Sequence, residues 1–104
     1  MYFTYILRCI DGSLYTGITT DVERRFKEHI EGVSKGAKYT ARHKPLKIEA
    51  VWQSETRSLA SKLEARIKKL SKAQKEELIL NSELEIFFAD EIDISAYSSG
   101  SLEK

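Results

Sequence analysis

The stretch Tyr2-Phe3-Thr4-Tyr5-Ile6-Leu7-Arg8-Cys9-Ile10-Asp11-Gly12-Ser13-Leu14-Tyr15-Thr16-Gly17-Ile18 decides how this chain begins to fold. Residues 2–9 and 14–18 are rich in Tyr, Phe, Ile, Leu and Thr, and read as two strands. Asp11-Gly12 between them is a hairpin signal, because glycine enters the left-handed region without a steric penalty. The turn length sets the register, and a slip of one residue moves every side chain to the other face. A two-residue turn pairs Ile10 with Ser13 and puts Tyr15 opposite Arg8. Tyr5 and Tyr15 then point to opposite faces. A three-residue turn, Ile10-Asp11-Gly12, with Gly12 as the bulge residue, pairs Cys9 with Ser13. Tyr15 then faces Leu7, Tyr5 faces Gly17, and both phenols share a face beside a side-chain gap. The three-residue turn is expected, because it alone unites the two tyrosines.

Downstream, Thr20-Asp21-Val22-Glu23 has the capping-box pattern and predicts a helix start at Thr20. Val22, Phe26 and Ile30 form its apolar stripe, with Gly32 as the C-terminal cap. At about 100° per residue, Arg25 and His29 fall together on one flank of that stripe. Residues 33–45 read as a basic loop. Leu46, Ile48, Ala50 and Trp52 alternate as one face of a third strand. Leu59, Leu63, Ile67 and Leu70 mark a second helix. Ser71-Lys72-Ala73-Gln74 is a further capping box, opening a third helix that ends near Asn81. The expected class is α+β: a short three-stranded antiparallel sheet flanked by helices, in the order ββαβαα with a C-terminal tail. Residues 1–81 form the domain. Residues 82–104 form an acidic extension whose last ten or so residues, small and polar, read as disordered.

A length of 104 residues suits one domain, and 32% charged residues suit a soluble one. A single cysteine, Cys9, rules out an internal disulfide and any multi-cysteine zinc site, and fits a reducing, cytoplasmic setting. Neither a membrane span nor a secretory leader is evident. The net charge of +1 conceals an asymmetry. Residues 1–81 carry sixteen basic against ten acidic side chains, and residues 82–104 carry one against six. A basic body suits a polyanion, since phosphate neutralisation supplies most of nonspecific nucleic-acid affinity. Solvated faces are the bland alternative.

Arg25, on the flank of a buried stripe, can lean over the sheet, and its planar fork matches a phosphate. His29 is either a general base or a satisfied boundary histidine. Glu64 is either an ion-pair partner for Lys68 or a carboxylate for a hard cation. Lys35, Lys38, Arg42, Lys44, Arg66 and Lys69 can line a groove for a phosphate backbone. Glu83, Glu85, Asp90, Glu91 and Asp93 either compete with nucleic acid for that basic face or accompany Ile86 and Phe88 as these pack on the core. If they compete, truncation after Asn81 tightens DNA binding.

In this order and spacing the residues resemble the GIY-YIG nuclease superfamily, especially its small single-domain bacterial members, over roughly residues 2–80. Phe3-Thr4-Tyr5 stands where the family has Gly-Ile-Tyr, keeping only the tyrosine, and Tyr15-Thr16-Gly17 stands where it has Tyr-Ile-Gly. The family's helix arginine falls on Arg25, its frequent histidine or tyrosine on His29, and its metal-binding glutamate on Glu64. The polar residue that larger members place after the glutamate has no clear counterpart. The resemblance implies metal-dependent cleavage of DNA phosphodiesters, structure-selective or nonspecific, in repair or recombination. Catalysis would rest on Tyr5, Tyr15, Arg25, His29 and Glu64, with Glu64 holding Mg2+ or Mn2+. A nucleic-acid-binding module on the same scaffold is the alternative.

Overall fold

The computed structural model describes residues 1–31 and 43–99. Strands β1 (Tyr2–Cys9) and β2 (Leu14–Thr19) lead into helix α1 (Val22–Glu31). Strand β3 (Pro45–Ser54) follows, then helices α2 (Arg57–Lys68), α3 (Lys72–Asn81) and the single turn α4 (Glu85–Phe88). A 3-10 turn (Ile94–Ala96) and a two-residue strand β4 (Ser98–Ser99) close the described chain. The sheet is antiparallel throughout, in the order β2-β1-β3-β4.

The first hairpin takes the three-residue turn. Gly12 has φ +88°, and its amide donates to the Cys9 carbonyl at 2.9 Å. The Cys9 amide donates to the Ser13 carbonyl at 2.9 Å, so Tyr5 pairs with Gly17 and Leu7 with Tyr15. The Asp11 carboxylate holds the turn by accepting from the Ser13 amide and hydroxyl.

Strand β1 is central, and residues 4–7 are buried on both faces. One face carries Tyr5, Leu7 and Val51, covered by Val22 and Phe26 of α1. The other carries Ile6, Ala50 and Trp52, covered by Leu63, Ile67 and Leu78 of α2 and α3. Thr4, buried between β1 and α2, donates its hydroxyl to the Ala60 carbonyl at 3.1 Å. Arg8 pins α3 to the sheet. Its Nε donates to Glu49 at 2.7 Å, and Nη1 and Nη2 grip both Glu76 oxygens at 2.5 and 2.6 Å. Arg8 first, and Lys72 second, hold the Glu76 carboxyl down to about 2.

Four expectations need correction. The sheet has four strands, not three: Ser98 and Ser99 pair with Gln53 and Trp52. Two residues are too few to display an alternation, and the composition of 95–99 reads as disorder. Second, β3 does not keep one face. Its register against β1 shifts between Ile6/Ala50 and Leu7/Ile48, leaving Glu49 as the extra residue. That bulge sends Ile48 to the α1 side while Ala50 and Trp52 face α2, and Leu46 is left exposed. Third, α1 is capped one residue later than Thr20. Asp21 accepts from the Arg24 amide at 3.1 Å, while the Asp21 amide donates to the Thr19 hydroxyl. Aspartate caps at least as well as threonine, so the helix starts where Thr19 also finds a partner. Fourth, Ile30 is 58% exposed and His29 takes its place on the buried stripe.

The second capping box forms as expected, with Ser71 and Gln74 bonding reciprocally. Beyond Asn81 the extension folds onto the core. Leu84, Phe88 and Ile92 join the cluster around Trp52 and Leu63, and Tyr97 donates its hydroxyl to the Leu59 carbonyl at 2.6 Å. Of the two alternatives for the tail, Phe88 packs and Ile86 stays largely exposed. Among the described residues, no helix is long and apolar enough to cross a membrane. Gly32, Lys35, Lys38 and Arg42 lie outside the described residues.

Candidate active site

The hairpin register delivers Tyr5 and Tyr15 to the α1 face, with ring centroids 6.4 Å apart. Tyr5 passes directly over Gly17. A Cβ at residue 17 would lie 2.6 Å from the Tyr5 hydroxyl oxygen and 2.8 Å from its Cζ. Gly17→Ala therefore forces Tyr5 aside. Overpacking of this kind costs about 1–3 kcal/mol, which lowers Tm by roughly 4–8 °C for each kcal/mol in a chain this small. A thermal melt checks it, and an unchanged Tm would mean that Tyr5 has room elsewhere.

Helix α1 supplies the next layer. His29 is 1% exposed and its Nε2 lies 3.0 Å from the Tyr5 hydroxyl. The Tyr15 ring stands edge-on to the imidazole, with centroids 4.8 Å apart. Burial, and then the neighbouring Arg25 charge, push the His29 pKa down to about 4. The imidazole is therefore neutral at neutral pH and accepts the Tyr5 proton when Nδ1 carries the hydrogen. Burial, and next Tyr15, push the Tyr5 phenol well above the usual tyrosine range, while Arg25 pulls the other way. At neutral pH the pair is a neutral phenol beside a neutral imidazole. Arg25, with 16% of its side chain exposed, reaches the same hydroxyl and donates to Glu28 at 3.2 Å.

Helix α2 approaches from the other face of the sheet and brings Glu64 to the rim. Its carboxylate is 22% exposed and lies 3.2 Å from the Lys68 ammonium. The ion pair with Lys68 is present, and the same carboxylate also lines a cleft. Tyr5, Tyr15, Arg25 and Glu64 line a single cleft of about 540 Å3 that crosses the outer strand β2 at Gly17, Ile18 and Thr19. His29 is not on its wall; it backs Tyr5 from behind. A second hollow of about 560 Å3 lies against Phe3, Val22, Phe26 and Ile48. It is more apolar and holds none of the predicted site residues.

Arg24, Glu28, Arg57 and Ser61 also line the polar cleft. None was singled out by the sequence. The signal was present on α2, where Arg57, Ser61, Glu64 and Lys68 recur at intervals of four, three and four. That spacing makes a polar stripe on the flank of the buried Ala60, Leu63 and Ile67. Among the predicted phosphate-binding residues, Lys44 and Lys69 are exposed and stand apart from the cleft lining. Arg66 is committed elsewhere, its Nε 3.0 Å from Glu91 in an ion pair too bent to count as a good hydrogen bond.

The pattern of the GIY-YIG catalytic domain matches residues 1–77. A UPF0213 protein of Fusobacterium nucleatum is 50% identical over 78 residues, which are 75% of this chain and 76% of that one. A UPF0213 protein of Cupriavidus necator is 50% identical over 74 residues, 71% of this chain and 78% of its own. The solution NMR structure of a UPF0213 protein from Bacillus halodurans aligns with a TM-score of 0.51 at 39% identity, covering 89% of this chain and 98% of that one. The match spans the hairpin, α1, β3 and α2, which carry every residue on the cleft wall, and the chain belongs to the GIY-YIG family.

Proposed function

We propose that this chain is a divalent-metal-dependent DNA endonuclease that cuts phosphodiester bonds, structure-selectively or without sequence preference, in repair or recombination. The observation that carries the reading is convergence. Residues from β1, β2, α1 and α2 meet in one polar cleft that pairs two phenols and three arginines with two carboxylates.

The donor set fits Mg2+ or Mn2+ better than zinc. Among the described residues no group of three or more His, Cys, Asp or Glu side chains could enclose a metal ion. Magnesium uses one or two carboxylates and keeps several waters, which the Glu64 carboxylate on the rim permits. Glu64 would hold the ion, and Lys68 would give up its contact. When bound, the ion supplies Lewis-acid stabilisation of charge on the phosphoryl oxygens and leaving group.

The chain's own groups do the rest. Arg25 donates to the phosphoryl oxygens as negative charge grows there. Tyr15, half-buried on the cleft wall, and Tyr5 orient the attacking water. A proton taken by the Tyr5 oxygen passes along the existing hydrogen bond to His29 Nε2, and the phenol ends neutral. Glu28 fixes the Arg25 fork by its ion pair. Lys44 and Lys69, with Lys35, Lys38 and Arg42, extend the basic surface for DNA, and Arg66 joins it when released from Glu91.

Nicking of branched, single-stranded and duplex DNA is the test. Cutting is expected with Mg2+ or Mn2+ and none with a chelator present. No cutting of any substrate, with DNA still bound, would favour the alternative of a binding module on the same scaffold.

A further inference from the structure

We propose that Arg57 holds a backbone phosphate other than the one being cut, so that the cleft takes a strand of several nucleotides laid across the sheet edge. The inference rests on the nuclease reading and extends it to the length of substrate the site grips. Arg57 is exposed, lines the cleft, and its side chain makes no hydrogen bond or ion pair with the described residues. The neighbouring arginines differ. Arg25 is tied to Glu28 and Tyr5, and Arg24 lies within 4.0 Å of Asp21 and 3.9 Å of Glu28. An arginine facing a polar cleft without a carboxylate is open to an anion, and its fork matches phosphate.

Its position sets the distance. Arg57 and Glu64 lie on the same stripe of α2, seven residues apart, which is about 10 Å along the helix axis. A nucleic-acid strand advances about 3.4 Å per phosphate along a duplex axis. A strand following α2 from Glu64 therefore reaches Arg57 about three nucleotides on. Ser61 lies between them on the cleft wall, a hydroxyl able to donate to an intervening phosphate. With Arg24, Arg25 and Arg57 set against Glu28 and Glu64, the cleft carries one more positive than negative side chain. That balance suits a polyanion that crosses the site.

The test is binding of labelled single strands of two, four, six and twelve nucleotides, followed by fluorescence anisotropy in EDTA across a salt series. Wild type is expected to gain affinity between the two- and six-nucleotide strands. Arg57→Gln should lack that gain, bind the twelve-mer about five- to tenfold more weakly, and show a salt slope flatter by about 0.7. Lys27→Gln removes an exposed α1 charge away from the cleft and should leave the slope as in wild type. An unchanged slope in Arg57→Gln overturns the proposal. So does equal weakening on the dinucleotide, which would place Arg57 at the cut phosphate, or equal flattening by Lys27→Gln, which would reduce the effect to net charge. Cutting plays no part in this readout. Failure of the nuclease reading would appear as absent nicking with the Arg57 effect intact.

Discussion

Glu64→Ala is expected to lower DNA cutting by on the order of a thousandfold while the protein stays folded. In the proposed site one carboxylate tethers the metal ion, and losing the tether removes several kcal/mol of transition-state stabilisation. The fold has little stake in this side chain. Glu64 is on the rim, and its recorded ion pair, to Lys68, is of the exposed helical kind worth under about 1 kcal/mol. Plasmid nicking in Mg2+ and in Mn2+, alongside a circular-dichroism melt and a DNA mobility shift, separates these effects. Lost cutting with Tm and binding retained supports the role given to Glu64. Equal residual cutting by both proteins would trace the activity to a contaminant and sink it.

Truncation after Asn81 is expected to leave a chain that does not fold cooperatively at room temperature. The sequence allowed a different outcome, tighter DNA binding through removal of competing acids. The packing changes that expectation. Leu84, Phe88 and Ile92 are buried against Trp52, Leu63 and Ile67, and each such side chain contributes about 1.5–3 kcal/mol. Their sum is comparable with the whole stability of a small domain, about 5–15 kcal/mol. Phe88→Ala is the graded version, with an expected loss of about 3–5 kcal/mol in urea unfolding. A truncated chain with an intact melt, or a Phe88→Ala loss under about 1 kcal/mol, would show that the extension merely rests on the domain.

What could be read in the sequence followed from local rules, and what escaped it came from tertiary ones. Asp11-Gly12 admitted either of two turns, and the hairpin register was legible only because one of them brings Tyr5 and Tyr15 to the same face. Helical spacing put Arg25 beside the buried stripe of α1, but it put His29 there too, and His29 is on the stripe itself, in the place expected of Ile30. The bulge at Glu49 was not legible: Leu46 to Trp52 alternates without a break, and the extra residue is held by Arg8, a partner 41 positions away. Strand β4 was missed because serines carry no strand signal, and the edge of β3 organises them. Arg57 was missed because an isolated arginine at a helix start is usually a solvated one. Its meaning depends on where α2 crosses β2.

That crossing has a consequence for how the protein behaves in a tube. Strand β2 is the outer strand of the sheet, and an outer strand offers free backbone groups to any passing chain. Here α2 packs against it, and the cleft along it carries Arg24, Arg25 and Arg57 against Glu28 and Glu64, a net positive charge. A second copy of this edge carries the same net positive charge, which opposes its approach before the amides come into register. The charges assigned to gripping a polyanion therefore also act as a solubility guard, and substitutions that neutralise the cleft also remove protection against edge-to-edge association.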